Sequence, residues 1–150
     1  MKIPYEISAI AVKYSIPFMY ISAQILFIYR ERVLAFLQFV VYTTSVIYWS
    51  NIDRNGIIRY IDMGCSFVLL LSMTYYITKL KKFYHYIWYY SIGSSICIFI
   101  MNEYAFLYGM EHYIDEKLRT YIAYQSIIIH IYFIHILPIF TGLFCMIMSK

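Results

Sequence analysis

Four ionisable side chains lie within or beside long apolar runs of this chain, namely Asp62, Glu103, His130 and His135. An ionisable group is costly in the apolar interior of a membrane, so each of them is a candidate for function. Carboxylates and imidazoles also act as general acids and bases and bind zinc. The candidate catalytic residues are Asp62, Glu103 and His130, together with the hydroxyl of Ser45. The candidate metal ligands are Asp62, His130 and His135.

The two histidines of the last apolar run stand five residues apart. On an α-helix of about 3.6 residues per turn, this spacing separates two side chains by about 140°. A metal pair on one helix prefers a spacing of about four or three residues. The spacing therefore predicts that His130 and His135 do not share a face, and that a metal would need ligands from other helices.

The composition places these residues in a membrane protein. Of the 150 residues, 63% are hydrophobic and 13% are charged, and the mean hydropathy is +0.66. Soluble domains have about 45–50% apolar and about 25% charged residues, and disordered chains have fewer apolar residues still. The net charge of +4 is not arranged in a basic stripe, so nucleic acid is not an expected partner. The expected surroundings are a lipid bilayer.

Charged residues divide the chain into apolar runs, most of them near the length of about 20 residues that a membrane-spanning helix needs. We predict an all-α fold, a polytopic transmembrane helical bundle that forms a single integral membrane domain of residues 1–150. Its last run is too long for one straight crossing, and Pro138 is expected to bend it. The predicted spans are 7–29, 33–51, 57–78, 83–104 and 121–148.

Short loops make neighbouring spans antiparallel, which places the basic loop at 79–82 on the same side as the C-terminus. Cytoplasmic loops carry an excess of Lys and Arg. We therefore expect a non-cytoplasmic N-terminus and a cytoplasmic C-terminus.

One helix face of the second span is polar, because its residues step by four, three and four positions. Such a face is expected to point into the bundle, where hydroxyl and amide groups form hydrogen bonds between helices. Small residues elsewhere allow helices to approach closely. The predicted helix-packing residues are Gln38, Tyr42, Ser45, Trp49, Gly64, Ser91 and Ser95.

Several of these polar residues should lie at one depth, toward the side of the N-terminus. Ser45, Trp49, Asp62 and Glu103 form this layer, and His130 joins it if the last span enters the membrane near 126. Arg59 precedes Asp62 by three positions, and an ion pair between them is expected at the membrane interface.

The order Ser45-x-x-x-Trp49, then Asp62, then His130 and His135 resembles the seven-span hydrolases that include the alkaline ceramidases and the progestin and adipoQ receptors. Their pattern is Ser-x-x-x-His, then Asp, then His-x-x-x-His, and it binds zinc. The resemblance implies that Ser45, Asp62, His130 and His135 are the matching positions. Trp49 replaces the first histidine and two spans are missing, which predicts a shortened relative, of the kind that viruses encode, with a degraded metal motif.

Three functions are compatible with the sequence. The first is a small multi-pass membrane protein without catalysis or cofactor, which packs with itself or with partner membrane proteins. The second is a metal-dependent membrane lipid hydrolase of the ceramidase type, with zinc as its cofactor. The third is a subunit of a channel or transporter, in which Asp62 and Glu103 line a cation path.

Overall fold

The computed structural model of the chain describes residues 5–50, 56–112 and 115–149, and these residues form helices and turns without a strand. A π-helical segment, Ile131–Ile136, joins the last two helices into a continuous rod. The predicted all-α helical bundle is confirmed. The helices are α1 Tyr5–Ile28, α2 Arg32–Ser50, α3 Ile57–Ile77, α4 Lys82–His112, α5 Glu116–His130 and α6 Leu137–Met148.

The helices have the length and the surface of membrane spans. Four helical rods, α2, α3, α4 and the rod Glu116–Met148, are long and apolar enough to cross a bilayer. The fifth, α1, has 24 residues and includes the apolar stretch Ser15–Ile28. Large apolar side chains such as Phe27, Phe36 and Ile100 point outward. Since lipid tails are as apolar as these side chains, the outer surface suits a multi-pass membrane protein. The predicted orientation of the termini stays a prediction.

Two helices are longer than predicted. Helix α4 continues past 104 to His112, and Tyr104, Tyr108 and His112 stack on one another at successive spacings of four residues. Helix α5 begins at Glu116, well before 121, because the Asp115 carboxylate accepts a hydrogen bond from the Lys117 backbone N–H at 2.9 Å and caps the helix. The predicted end of the second span at 51 lies outside the described residues.

Hydrogen bonds identify which helix ends meet. The Tyr76 hydroxyl donates to Glu31 at 2.7 Å, and the Tyr84 hydroxyl donates to the Met148 carbonyl. The start of α2, the end of α3, the start of α4 and the end of α6 therefore lie together, at what we call the lower end of the bundle. The opposite end is the upper end.

The bundle consists of two halves. In the first half α2 packs between α1 and α3, and in the second α4 packs against α5 and α6. The halves meet mainly where α1 contacts the π-helical segment and its flanking helices. Helices α3 and α4, although consecutive in sequence, touch only lightly. Space therefore remains between α3 and α4.

Two polar contacts hold α4 in place near the lower end. The Trp88 indole N–H donates to Thr74 Oγ1 on α3 at 2.9 Å, and the Ser91 hydroxyl donates to Thr141 Oγ1 on α6 at 3.0 Å. Interhelical hydrogen bonds of this kind contribute about 0.6 to 2 kcal/mol each in a membrane.

The small residues differ in how they pack. Gly64 is exposed, and an added Cβ would meet no atom within 4 Å, so no described helix makes the predicted close approach at Gly64. It faces outward because the same helix buries its opposite face, with Asp62 and Leu69. Close packing occurs instead at Gly142, where a Cβ would lie 3.2 Å from Met73 and from Trp88.

The α1–α2 turn places a non-glycine residue in the left-handed region. Arg30 has a φ of 64°. Its N–H donates to the Phe27 carbonyl, and the Glu31 N–H donates to the Leu26 carbonyl, as in a Schellman helix end. Glycine usually occupies this position, since a Cβ in the left-handed region costs about 1–2 kcal/mol.

We expect Arg30→Gly to raise the free energy of unfolding by up to about 1 kcal/mol, because it removes this strain while the greater entropy of an unfolded glycine offsets part of the gain. Thermal unfolding in detergent, followed by circular dichroism, measures the change. Arg30→Ala is the control, since it removes the same charge but keeps the Cβ. An alanine variant at least as stable as the glycine variant would contradict the strain argument.

Candidate functional site

A cavity of about 400 Å³ lies between the two halves of the bundle. Its size falls within the range of small-molecule sites, about 300–1,000 Å³. Its walls are mostly apolar and come from every helix, for example Met19 of α1, Val41 of α2, Leu70 of α3, Ile92 of α4 and Ile127 of α5. Met19 and Val41 are otherwise inaccessible, with 2% and 3% of their surfaces exposed. The interior can therefore hold an apolar molecule.

The cavity opens sideways between α3 and α4. Met63, Phe67 and Ile96 line it, and each is also about half exposed on the outer surface. We call these three residues the portal. These residues belong to helices that are long and apolar enough to cross a bilayer, so an opening between them suits contact with lipid tails.

Two polar contacts between α3 and α4 frame the portal. The Trp88–Thr74 hydrogen bond closes it toward the lower end. Toward the upper end, Arg59 Nη2 of α3 lies 3.3 Å from Glu103 Oε2 of α4 and forms a partly exposed ion pair. The expected partner of Arg59 was Asp62, one turn away on the same helix, but the ion pair forms between helices. Glu103, a candidate for a cation path, is thus held by a neighbouring guanidinium.

Asp62 is held by two hydroxyl groups of α2. Its Oδ1 accepts hydrogen bonds from Ser45 at 2.7 Å and from Thr44 at 2.8 Å. Only 8% of its surface is exposed, and it lines the cavity. Hydrogen bonds to a charged acceptor stabilise more than neutral ones, so this contact joins α2 to α3 at the upper end. Ser45 reaches the cavity only through Asp62.

The two histidines of the last rod are in contact, so the prediction that they do not share a face is wrong. His130 Nε2 and His135 Nε2 lie 3.0 Å apart, a hydrogen-bond distance at which one imidazole donates to the other. The segment between them is π-helical, and the Leu137 N–H donates to the Tyr132 carbonyl five residues back. In this wider turn residues five apart lie above one another.

Pro138 explains where the wide turn occurs. A proline has no N–H to donate to the carbonyl four residues earlier, and its ring pushes against that carbonyl. The π-helical segment Ile131–Ile136 ends just before Pro138 and accommodates this defect. Pro138 thus affects the histidines through the backbone of the turn that precedes it. The sequence predicted only that Pro138 bends the rod.

Both imidazoles sit in a specific environment. The Ser15 hydroxyl, fully buried in α1, lies 2.7 Å from His135 Nδ1. Trp49 packs edge-on against both rings, with centroids 5.8 Å from His130 and 6.4 Å from His135. Phe99 of α4 contacts His130 at 5.9 Å. These contacts fix the orientation of both rings.

The structure thus gathers most of the candidate residues around one cavity. Trp49, Asp62, Glu103, His130 and His135 all line it. Within the described part of the chain, however, no group of three His, Cys, Asp or Glu side chains is close enough to hold a metal ion. The two histidines touch each other, whereas Asp62 accepts hydrogen bonds at Oδ1 from two hydroxyl groups of α2.

The polar face of α2 lies inside the bundle, with Gln38, Ser45 and Trp49 buried and Tyr42 half-buried against Tyr20. Ser91 and Ser95 are buried as well. Three of these side chains have buried polar atoms that find no hydrogen-bond partner among the described residues. These atoms are Gln38 Nε2, Trp49 Nε1 and Ser95 Oγ, and all three residues line the cavity.

Sequence reasoning missed Ser15, Thr44 and Asn102. Asn102 Nδ2 donates to the carbonyl and the hydroxyl of Ser126, both at 3.1 Å, and joins α4 to α5. The signal for Ser15 was available, since Ser15 and Ser22 stand seven residues apart on one face of α1 and both are buried. Which residues they contact depends on how the helices pack, which this spacing does not show.

We expect Ser45→Ala to lower the free energy of unfolding by about 1–2 kcal/mol, because Asp62 loses one of its two donors inside the bundle. Reversible unfolding in mixed micelles measures this loss. The control is Ser94→Ala, since the Ser94 hydroxyl donates only within its own helix, to the Ser91 carbonyl. Equal losses in the two variants would show that Ser45 does not stabilise Asp62.

Comparison with known proteins adds no assignment. No protein-family profile, no curated protein and no solved structure matches this chain significantly. The resemblance to the seven-span hydrolases stays a prediction. The features that point to a functional site are the cavity, its portal and the polar residues that line it.

Proposed function

We propose that this multi-pass membrane protein binds a single-chain lipid in the cavity between its two halves, without catalysing a reaction. The observation that carries the proposal is the portal, an opening of an apolar cavity between α3 and α4 among side chains exposed on the apolar outer surface. A lipid chain that enters it exchanges one apolar environment for another and leaves no void behind. Packing with a second copy or with partner membrane proteins stays a prediction.

The distribution of polar groups agrees with a lipid as the ligand. The charged side chains that line the cavity lie at the upper end. Arg59 and Asp62 belong to the first turns of α3, and Glu103 of α4 forms the ion pair with Arg59. Apolar side chains such as Leu69 and Met73 line the cavity farther along α3, toward the lower end. A ligand with one polar end and one apolar chain matches this division.

The proposal predicts that a long-chain alcohol bearing an alkyl diazirine, irradiated with the protein in liposomes, will label Met19 and Val41. These side chains are buried in the bundle, so label from the surrounding bilayer reaches them only through the cavity. Mass spectrometry of the digested protein locates the label.

Ser66→Phe should lower the labelling of Met19 and Val41 at least fivefold, because its ring fills cavity space. Gly64→Phe adds the same ring to the outer surface of the same helix, where a Cβ meets no atom, and should leave the labelling unchanged. Labelling confined to outward-facing residues in the unsubstituted protein would reject the proposed function.

The metal-dependent lipid hydrolase is a second candidate, favoured by the contact between His130 and His135. Catalytic zinc needs about three protein ligands and an open position for water. The π-helical segment places two imidazoles side by side in the same cavity as Asp62, whose carboxylate would have to move toward them to become the third ligand. If zinc binds there, it would polarise a water molecule or a lipid carbonyl.

Elemental analysis of the purified protein tests this candidate. The hydrolase function predicts about one zinc per chain, with loss of the metal in the His130→Ala/His135→Ala variant. The His85→Ala/His112→Ala variant removes two histidines that bond to backbone carbonyls outside the cavity, and it should keep the metal. A metal-free unsubstituted protein, after exposure to zinc, would exclude the hydrolase function.

A further inference from the structure

The carboxylates that line the cavity outnumber its positively charged side chains. Arg59, Asp62 and Glu103 line it, so that carboxylates outnumber cations by one when both imidazoles are neutral. Arg59 and Glu103 form an ion pair, which leaves Asp62 as the carboxylate without a cationic partner among the described residues. Asp62 itself is more than nine-tenths buried, and the side chains around it in the cavity are mostly apolar.

The two hydrogen bonds to Asp62 occupy one side of the carboxylate. Ser45 and Thr44 both donate to Oδ1, and no described residue donates to Oδ2. An ionised carboxylate can accept about four hydrogen bonds, two at each oxygen. The hydroxyl groups thus orient the carboxylate and leave Oδ2 available on a residue that lines the cavity.

We infer that the head group of the bound lipid is a protonated amine that pairs with Asp62. This inference rests on the proposed lipid-binding function and specifies the ligand as a single-chain, long-chain amine. The ammonium group would donate to Asp62 Oδ2, and its alkyl chain would fill the apolar part of the cavity.

The physical reason is the low dielectric constant of the site. An unpaired carboxylate in such an environment is costly, and an ammonium group within hydrogen-bond distance offsets part of that cost. Removing both ions from water is itself costly, but here the carboxylate is already desolvated before the ligand arrives. A neutral alcohol would supply only a hydrogen bond, and an anionic head group would be repelled.

Competition against the diazirine alcohol in liposomes of neutral lipid tests the inference. The competitors are a primary alkylamine, an alcohol and a carboxylate with the same saturated chain. We expect the amine to suppress labelling of Met19 and Val41 at concentrations at least tenfold lower than the alcohol, and the carboxylate to be the weakest competitor.

A matched pair of variants locates the selectivity. Asp62→Asn keeps an oxygen that accepts from Ser45 and Thr44 but removes the charge, so the tenfold preference for the amine should disappear while the alcohol competes as before. Glu31→Gln removes a carboxylate that accepts from Tyr76 at the lower end, away from the cavity, and should keep the preference.

The outcomes separate the two proposals. Equal competition by all three compounds in the unsubstituted protein would overturn the inference of an amine head group and leave the proposed lipid binding intact. Labelling that never reaches Met19 and Val41 would overturn lipid binding itself. An amine preference that persists in Asp62→Asn would also overturn the inference. If that variant does not fold, the order of the three competitors on the unsubstituted protein decides.

Discussion

Polar groups that leave water are costly without partners, and hydrogen bonds between such groups join several neighbouring helices of this protein. Each half of the bundle contains hydrogen bonds between neighbouring helices, such as Ser45 to Asp62 and Asn102 to Ser126. Apolar contacts distinguish poorly between a neighbouring helix and a lipid tail. Polar contacts therefore reinforce pairs such as α2–α3 and α4–α5, whereas the extensive packing of α1 on α2 is mainly apolar. The light packing of α3 on α4 leaves room for the cavity.

The π-helical segment is the clearest link between local sequence and the site. One proline lacks one backbone donor, the preceding turn becomes wider, and two imidazoles five residues apart come into contact. Ser15 then orients His135 from a distant part of the sequence. A local backbone requirement thus produces a side-chain arrangement that a regular helix would not allow.

The sequence predicts the fold class, the membrane setting and nearly all helix positions, since these depend on hydrophobic runs interrupted by charges. It also identifies Asp62, Glu103 and His130, because ionisable residues in apolar runs are conspicuous. The contact of His130 with His135 could not be predicted from the sequence, because the helix does not keep about 3.6 residues per turn in the segment before Pro138. The partner of Arg59 depends on which helix lies opposite. For the same reason the sequence does not distinguish Gly64, which is exposed, from Gly142, which is closely packed.

The division into two halves also has a consequence for synthesis of the chain. Helices α1 to α3 pack chiefly on their neighbours in sequence, and α4 packs chiefly on α5 and α6. Contacts between sequence neighbours form early, and the N-terminal part of a chain leaves the ribosome first. The first three helices can therefore assemble in the bilayer while the rest is still being translated. In that order of assembly, lipid would cover the inner face of the first three helices until the second half packs against them, and the gap between α3 and α4 would be the last part of this face to be covered.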